Sequence, residues 1–202
     1  MNNFGNTQQC RRAVFLDRDG TINEEVGYIS DSAQFRLFDY AAEAIRLLNK
    51  AGWLTVIVTS QAGIARGIFP ESFLTSLHEQ MQLELSRLGA TIDAIYYCPH
   101  HPTEGEVLYR RECDCRKPKP GMLKRAADEL NVDLSASVVI GDRFRDLGMA
   151  QAVGARSVLV LTGYGQEELE RDGNDWPQQP DHIAKNVLEA VQWVIKQSPT
   201  KF

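Results

Sequence analysis

The chain has 202 residues, 43% of them hydrophobic and 24% charged, and a formal net charge of −5. Those values fit one folded domain with a proper core, and the acidic balance argues against a polyanion as principal partner. No apolar run approaches the length of a membrane span, so neither nucleic acid nor a membrane is an expected partner.

The first ten residues, Met1 to Cys10, carry no basic region and no apolar core, so they do not read as a signal peptide. They are expected to form a disordered arm, with Cys10 lacking a partner, ahead of a single domain over residues 11–197. A cytoplasmic, reducing location is expected, which disfavours structural disulfides.

A first strand, Ala13–Asp17, runs into Asp17, Asp19, Gly20 and Thr21. Carboxylates at i and i+2 of an extended backbone point the same way. They repel unless something positive sits between them. A hard divalent cation such as Mg²⁺ prefers oxygen ligands and meets that need. A cation beside a free carboxylate at a strand's C-terminal edge outlines a phosphoryl-transfer site. The bland alternative, a solvated turn at Asp19-Gly20, leaves the matching parts downstream unexplained.

A second strand, Leu54–Thr59, ends in a hydroxyl that can donate to a phosphoryl oxygen. Phe73, Leu77, Met81, Leu85 and Leu88 then fall on one helical face and read as core. A third strand, Ala94–Tyr97, leads into Cys98-x-His100-His101, and a long loop later comes Cys113-x-Cys115. Two close pairs of such ligands outline a closed zinc site, structural because no position stays open. His100 and His101 compete for one place in it. Arg116 and Lys117 follow directly, within a basic run that includes Arg110, Arg111 and Lys119. Such runs are commonly solvated faces, but this one abuts the cysteines and reads as a phosphate site. Lys117 would set its charge against the phosphoryl oxygens. Arg116 would grip a second phosphate with its planar fork. A metal tying the loop would hold both cations before substrate arrives.

Leu123, Ala126, Ala127 and Leu130 form another core stripe. A fourth strand, Ser137–Gly141, ends at Asp142, which reads as a Mg²⁺ ligand beside Asp17 and the backbone carbonyl of Asp19 rather than as a helix N-cap. A fifth strand, Ser157–Thr162, precedes Gly163–Pro180, expected as a surface connection. Ile183, Val187, Val191 and Ile195 share a face of the last helix. Alternating strands and helices give an α/β fold, a parallel sheet with helices on both sides. The intervals from Asp19 to Thr59 and from Thr59 to Lys117 leave no room for an inserted cap domain. Substrate choice must then fall to the loops Glu24–Ile29, Gln61–Ile68 and Pro99–Glu112.

Asp17-x-Asp19-Gly20-Thr21 after an apolar strand resembles the first motif of the haloacid dehalogenase (HAD) phosphatase superfamily. Asn23, Gly27-Tyr28-Ile29, the run Val58 to Gly67, Tyr97 to Pro102, Cys113 to Pro118 and Gly141-Asp142-Arg143 are similar to its zinc-containing heptose-bisphosphate phosphatase family. The resemblance spans about Val14 to Gly163. It implies a Rossmann-like fold without a cap and an aspartyl-phosphate mechanism. Asp17 would be the nucleophile and Asp19 the general acid, then base, with Thr59 and Lys117 completing the catalytic set. It implies substrate contacts at Glu25, Val26, Gly27, Tyr28, Ser60, Gln61 and Arg116. Magnesium would sit at Asp17, Asp19 and Asp142. Zinc would sit at Cys98, His100 (not His101), Cys113 and Cys115. The implied reaction removes the 7-phosphate of D-glycero-D-manno-heptose 1,7-bisphosphate, a small sugar bisphosphate on the route to nucleotide-activated heptose. The family pattern has Asn at Ser60 and often Lys at Arg143. Histidinol-phosphate phosphatases share both ligand pairs, but with a shorter zinc loop and without Gly-Ile-Ala-Arg-Gly. A polynucleotide 3′-phosphatase is disfavoured by the acidic balance. An inactive zinc-bearing interaction module is disfavoured by the intact acidic and basic set. A monomer is expected.

Overall fold

Val14 and Leu16 pack on one side of the first strand and Ala13 and Phe15 on the other, and all four are fully buried. An apolar run buried on both faces belongs inside a parallel sheet. The computed structural model, which describes residues 10–197, shows that sheet. Its strands are β1 (Ala13–Leu16), β2 (Leu54–Ser60), β3 (Ala94–Cys98), β4 (Val138–Gly141), β5 (Arg156–Val160) and β6 (His182–Ala184). They lie in the order β3-β2-β1-β4-β5-β6, with every pairing parallel.

Helices cover both faces. Core side chains of α1 (Ala41–Lys50), α2 (Glu71–Arg87) and α6 (Val187–Lys196) pack with Val14, Leu16, Ile57, Ile140 and Val158. Those of α3 (Gly121–Leu130) and α4 (Phe144–Gln151) pack with Phe15, Val56, Val58 and Val139. Each fully buried aliphatic side chain contributes about 1.5–3 kcal/mol. Truncating Ile57 to alanine would cost roughly 2–5 kcal/mol.

The strand order reverses at β1. The chain goes to β2 and β3 on one side, then crosses to β4 on the other. In open α/β sheets ligands bind outside the C-terminal strand ends at such a switch point. From β1 to α1 the chain makes a loop with a 3-10 turn at Ser32–Gln34, and from β3 to α3 it makes the cysteine loop. Neither carries a cap domain. Among the described residues, no helix is long and apolar enough to cross a membrane.

Four expectations need correction. The supposed surface connection after Gly163 contains α5 (Gly165–Asp172). Its one large apolar residue, Leu169, gives no periodic stripe, and Glu168 is buried through ion pairing instead. Ile183 lies in β6 and not in the last helix. That helix starts at Val187, because Asn186 has extended backbone (φ −158) and its side chain accepts the Glu189 N–H. Leu88 follows the last residue of α2 and is 51% exposed. Cys10 has a partner after all, with its Sγ 3.6 Å from Asn131 Oδ1. The rest of the expected disordered arm, residues 1–9, lies outside the described residues.

Candidate active site

Asp17 is the first residue past β1, and its N–H donates to the Ile140 carbonyl of β4 at 2.9 Å. That bond aligns the ends of the two central strands. The Asp17 carboxylate is buried and meets Lys117 Nζ at 2.7 Å, and the same ammonium lies 2.5 Å from Asp146. Asp146 stands in the first turn of α4, where its other oxygen accepts the Arg143 N–H at 3.1 Å. Asp142 follows β4, fully buried, with Oδ2 accepting the Tyr164 N–H at 2.9 Å and Oδ1 without a hydrogen-bond partner. Gly20 and Gly163 have φ of +78 and +56, and a Cβ on either would overlap the Asp142 carboxylate. Both positions therefore need glycine twice over, for backbone conformation and for close approach.

Burial pushes the Asp17 carboxyl up to about 6 against the pull of Lys117. Burial, with the charge of Asp17, pushes Asp142 up to about 9. Lys117 is raised, because Asp146 and Asp17 together outweigh its burial. Asp17, Asp142 and Asp146 hold carboxylate oxygens within 4.8 Å of one another. Three buried carboxylates facing one ammonium are short of positive charge. An oxygen-only donor set of that kind fits a magnesium ion.

Asp19 points elsewhere. Its carboxylate receives Arg18 Nη2 at 2.8 Å, Arg18 Nε at 3.0 Å, Asn23 Nδ2 at 3.0 Å and Gln61 Nε2 at 2.9 Å. The Asp19 side chain thus stays outside the Asp17–Asp142–Asp146 cluster, which leaves its backbone carbonyl as the group it could offer a cation. Arg18 is itself buried, with Nη1 3.1 Å from His78 Nε2 of α2. Burial and the Arg18 charge push His78 down to about 3. Sequence reasoning missed Arg18, His78 and Asp146. The available signals were a polar residue within the α2 core stripe and a second aspartate four residues after Asp142.

The cavity over these groups is lined by Asp17, Asp19, Thr59, Lys117 and Asp142 together with the expected contacts Glu25, Gly27, Tyr28, Ser60, Gln61 and Arg116. Val26, 46% exposed, is not among the lining residues. Thr59 Oγ1 accepts Gln61 Nε2 at 2.8 Å, which leaves its hydroxyl proton available. Ser60 Oγ is buried and has no hydrogen-bond partner among the described residues. Glu25 accepts the Gly27 N–H at 2.6 Å, and burial raises its carboxyl. Arg143, Arg145 and Tyr164 also line the cavity.

In the cysteine loop the four expected zinc donors meet. Cys98 Sγ lies 3.6 Å from Cys113 Sγ, Cys113 Sγ 3.3 Å from Cys115 Sγ, and His100 Nδ1 3.3 Å from Cys115 Sγ. Tetrahedral ligands at metal–sulfur distances of about 2.3 Å sit roughly this far apart, so the set fits zinc. A hydrogen bond between the free thiols of Cys98 and Cys115 lowers the Cys115 thiol and raises that of Cys98. A thiolate of that kind is what the metal binds. His101 takes no part: its Nδ1 accepts the Glu104 N–H at 2.9 Å, and Nε2 faces Arg66. Glu71 braces the loop by accepting both the Tyr97 and Tyr109 hydroxyls, at 2.7 and 2.8 Å. At the loop's end Arg116 donates Nη1 to the His100 carbonyl at 3.1 Å.

Residues 114–190 match a family model described as "HAD-hyrolase-like". The chain is 45% identical over 187 residues to the D-glycero-beta-D-manno-heptose-1,7-bisphosphate 7-phosphatase of Escherichia coli K12, covering 92% of this chain and 94% of that one. The Vibrio cholerae protein of the same name is 42% identical over 183 residues, 91% and 94% of the two chains. Among solved structures, the D,D-heptose 1,7-bisphosphate phosphatase of B. bronchiseptica, in complex with magnesium and phosphate, superposes with a TM-score of 0.82 at 31% identity. That match covers 93% of this chain and 99% of the other. By sequence and by fold, the chain belongs to the D-glycero-beta-D-manno-heptose-1,7-bisphosphate 7-phosphatase family of HAD-like hydrolases.

Proposed function

We propose that residues 11–197 act as a single catalytic domain that removes the 7-phosphate of D-glycero-D-manno-heptose 1,7-bisphosphate through an aspartyl-phosphate. The observation that carries this reading is the meeting of Asp17, Asp19, Thr59, Lys117 and Asp142, from four separate chain segments, in one cavity. Relatives of the same name and the magnesium and phosphate in the B. bronchiseptica structure support the substrate and the ion.

Asp17 and Asp142, with the Asp19 carbonyl, would hold the magnesium, which when bound neutralises charge on the phosphoryl oxygens. Lys117 holds the Asp17 carboxylate in place for attack on phosphorus. As the bond from Asp17 to phosphorus forms, the bond to the sugar oxygen breaks and that oxygen takes a proton from Asp19. Asp19 then takes a proton from water, whose oxygen bonds phosphorus as the link to Asp17 breaks. Arg18, Asn23 and Gln61 keep Asp19 oriented through both steps. Thr59 donates its hydroxyl to the transferred phosphoryl group. Zinc on Cys98, His100, Cys113 and Cys115 would be structural and fix the segment bearing Arg116 and Lys117.

The test is phosphate release from heptose 1,7-bisphosphate and from histidinol phosphate, each with magnesium and with EDTA. Magnesium-dependent release, faster by orders of magnitude from the bisphosphate, is expected. A preference for histidinol phosphate would reassign the substrate, and no release from either would make the chain a non-enzymatic module.

A further inference from the structure

Four basic side chains line the active-site cavity: Arg116, Lys117, Arg143 and Arg145. Their charges are not equally available. Lys117 is held between Asp17 and Asp146. Arg143 pairs with Glu168 at 2.7 Å and lies over the Tyr164 ring, 4.3 Å from its centroid. Arg116 donates to a neutral carbonyl and has no acidic partner among the described residues. Arg145 makes neither a hydrogen bond nor an ion pair among the described residues, and its Nε is buried with no acceptor. A buried, unpaired guanidinium N–H costs free energy that an anion in the cavity would recover.

The fold brings Arg145 and Arg116 to the same cavity. Arg145 precedes Asp146 and Arg116 precedes Lys117, and the Lys117–Asp146 ion pair binds the two segments together. Gly148 of α4 leaves too little room beside Pro118 for an unstrained Cβ, so the segments pack closely behind that pair. Two guanidinium groups without acidic partners among the described residues therefore border one cleft.

We propose that Arg145 binds the phosphate that the reaction leaves in place, as a second guanidinium beside Arg116, and so sets the preference for a bisphosphate over a phosphate monoester. This rests on the phosphatase reading above. Arg143 lines the same cavity, but its Nε is already committed to Glu168 at 2.7 Å, which makes Arg145 the guanidinium with more unmet bonding capacity. A planar fork suits this task better than an ammonium, since it can bond two phosphate oxygens at once.

The experiment compares kcat and KM for heptose 1,7-bisphosphate and for p-nitrophenyl phosphate in the wild type, Arg145→Ala and Arg145→Lys. In Arg145→Ala the ratio of kcat/KM between the two substrates should fall roughly 10- to 100-fold, the value of a charge-assisted bond. The loss should appear in KM for the bisphosphate, and Arg145→Lys should recover part of it. A ratio unchanged in Arg145→Ala, or equal losses on both substrates, would overturn the proposal while leaving the phosphatase reading intact. A wild-type enzyme with no preference for the bisphosphate would overturn both.

Discussion

Lys117 and Asp17 stand 100 residues apart in the chain and meet at 2.7 Å in the buried floor of the cavity. Neither group could stay charged there alone, because taking an ion out of water costs several kcal/mol. Asp146 makes the arrangement a triad, with one ammonium serving two carboxylates. The cysteine loop positions Lys117, β1 positions Asp17 and α4 positions Asp146, so the geometry of the triad depends on three parts of the fold at once.

Lys117→Ala should therefore damage both function and stability. Loss of the charge facing the phosphoryl group should lower kcat roughly 10²–10³-fold, as for other removed transition-state donors. Stranding Asp17 and Asp146 should cost about 3–5 kcal/mol. Steady-state kinetics and thermal melts of the same preparation would show both effects. A variant as active and as stable as wild type would contradict the triad.

Asp17→Asn should abolish turnover while the fold persists, because an amide cannot form the acyl-phosphate. Asp19→Asn should lose roughly 10²–10⁴-fold through acid–base chemistry. Circular dichroism with kinetics on both variants separates folding from chemistry, and substantial activity in Asp17→Asn would remove it as nucleophile.

Zinc analysis of protein purified without added metal should find about one tightly held ion per chain, retained when magnesium is exchanged. Cys115→Ser should lose that zinc and much of its phosphatase activity, although the four donors gather around His100 and not around Asp17. The cause is displacement of Arg116 and Lys117, where a shift near 1 Å costs roughly 10²-fold. Protein without zinc, or a Cys115→Ser variant with full activity, would contradict this.

His78 predicts a pH dependence of stability. Its imidazole is held down to about 3 by burial and by Arg18, whereas the unfolded chain protonates near 6.5. Below that pH the unfolded state binds a proton that the folded state refuses. The stability is fully present above about 6.5 and is lost as pH falls toward 3, at up to about 1.4 kcal/mol per unit. Melting temperatures of wild type and His78→Gln between pH 7 and 5 would check this, with the steeper fall expected in wild type.

The five longer strands were legible because they are short apolar runs, four of them expected to end at a polar residue or glycine. Asp17, Asp19 and the four Cys/His side chains that meet in the cysteine loop could be singled out because their spacing is local: Asp17 to Asp19, Cys98 to His100, Cys113 to Cys115. What stayed hidden depends on distant partners. Asp146 matters through Lys117, Arg18 through His78, and Glu168 through Arg143. β6 has three residues, too few for an alternation, and Ile183 happens to stand four residues before Val187. Helix α5 is held by one buried ion pair more than by an apolar face, so hydrophobic periodicity could not reveal it.

Borohydride trapping during turnover of heptose 1,7-bisphosphate with magnesium reports directly on a covalent intermediate at Asp17. Reduction of an aspartyl-phosphate converts that aspartate to homoserine, which mass spectrometry of the digested protein locates. An aspartyl-phosphate at Asp17 predicts homoserine at position 17, dependent on both substrate and magnesium. Homoserine at another aspartate, or active turnover that never yields it at Asp17, would contradict it.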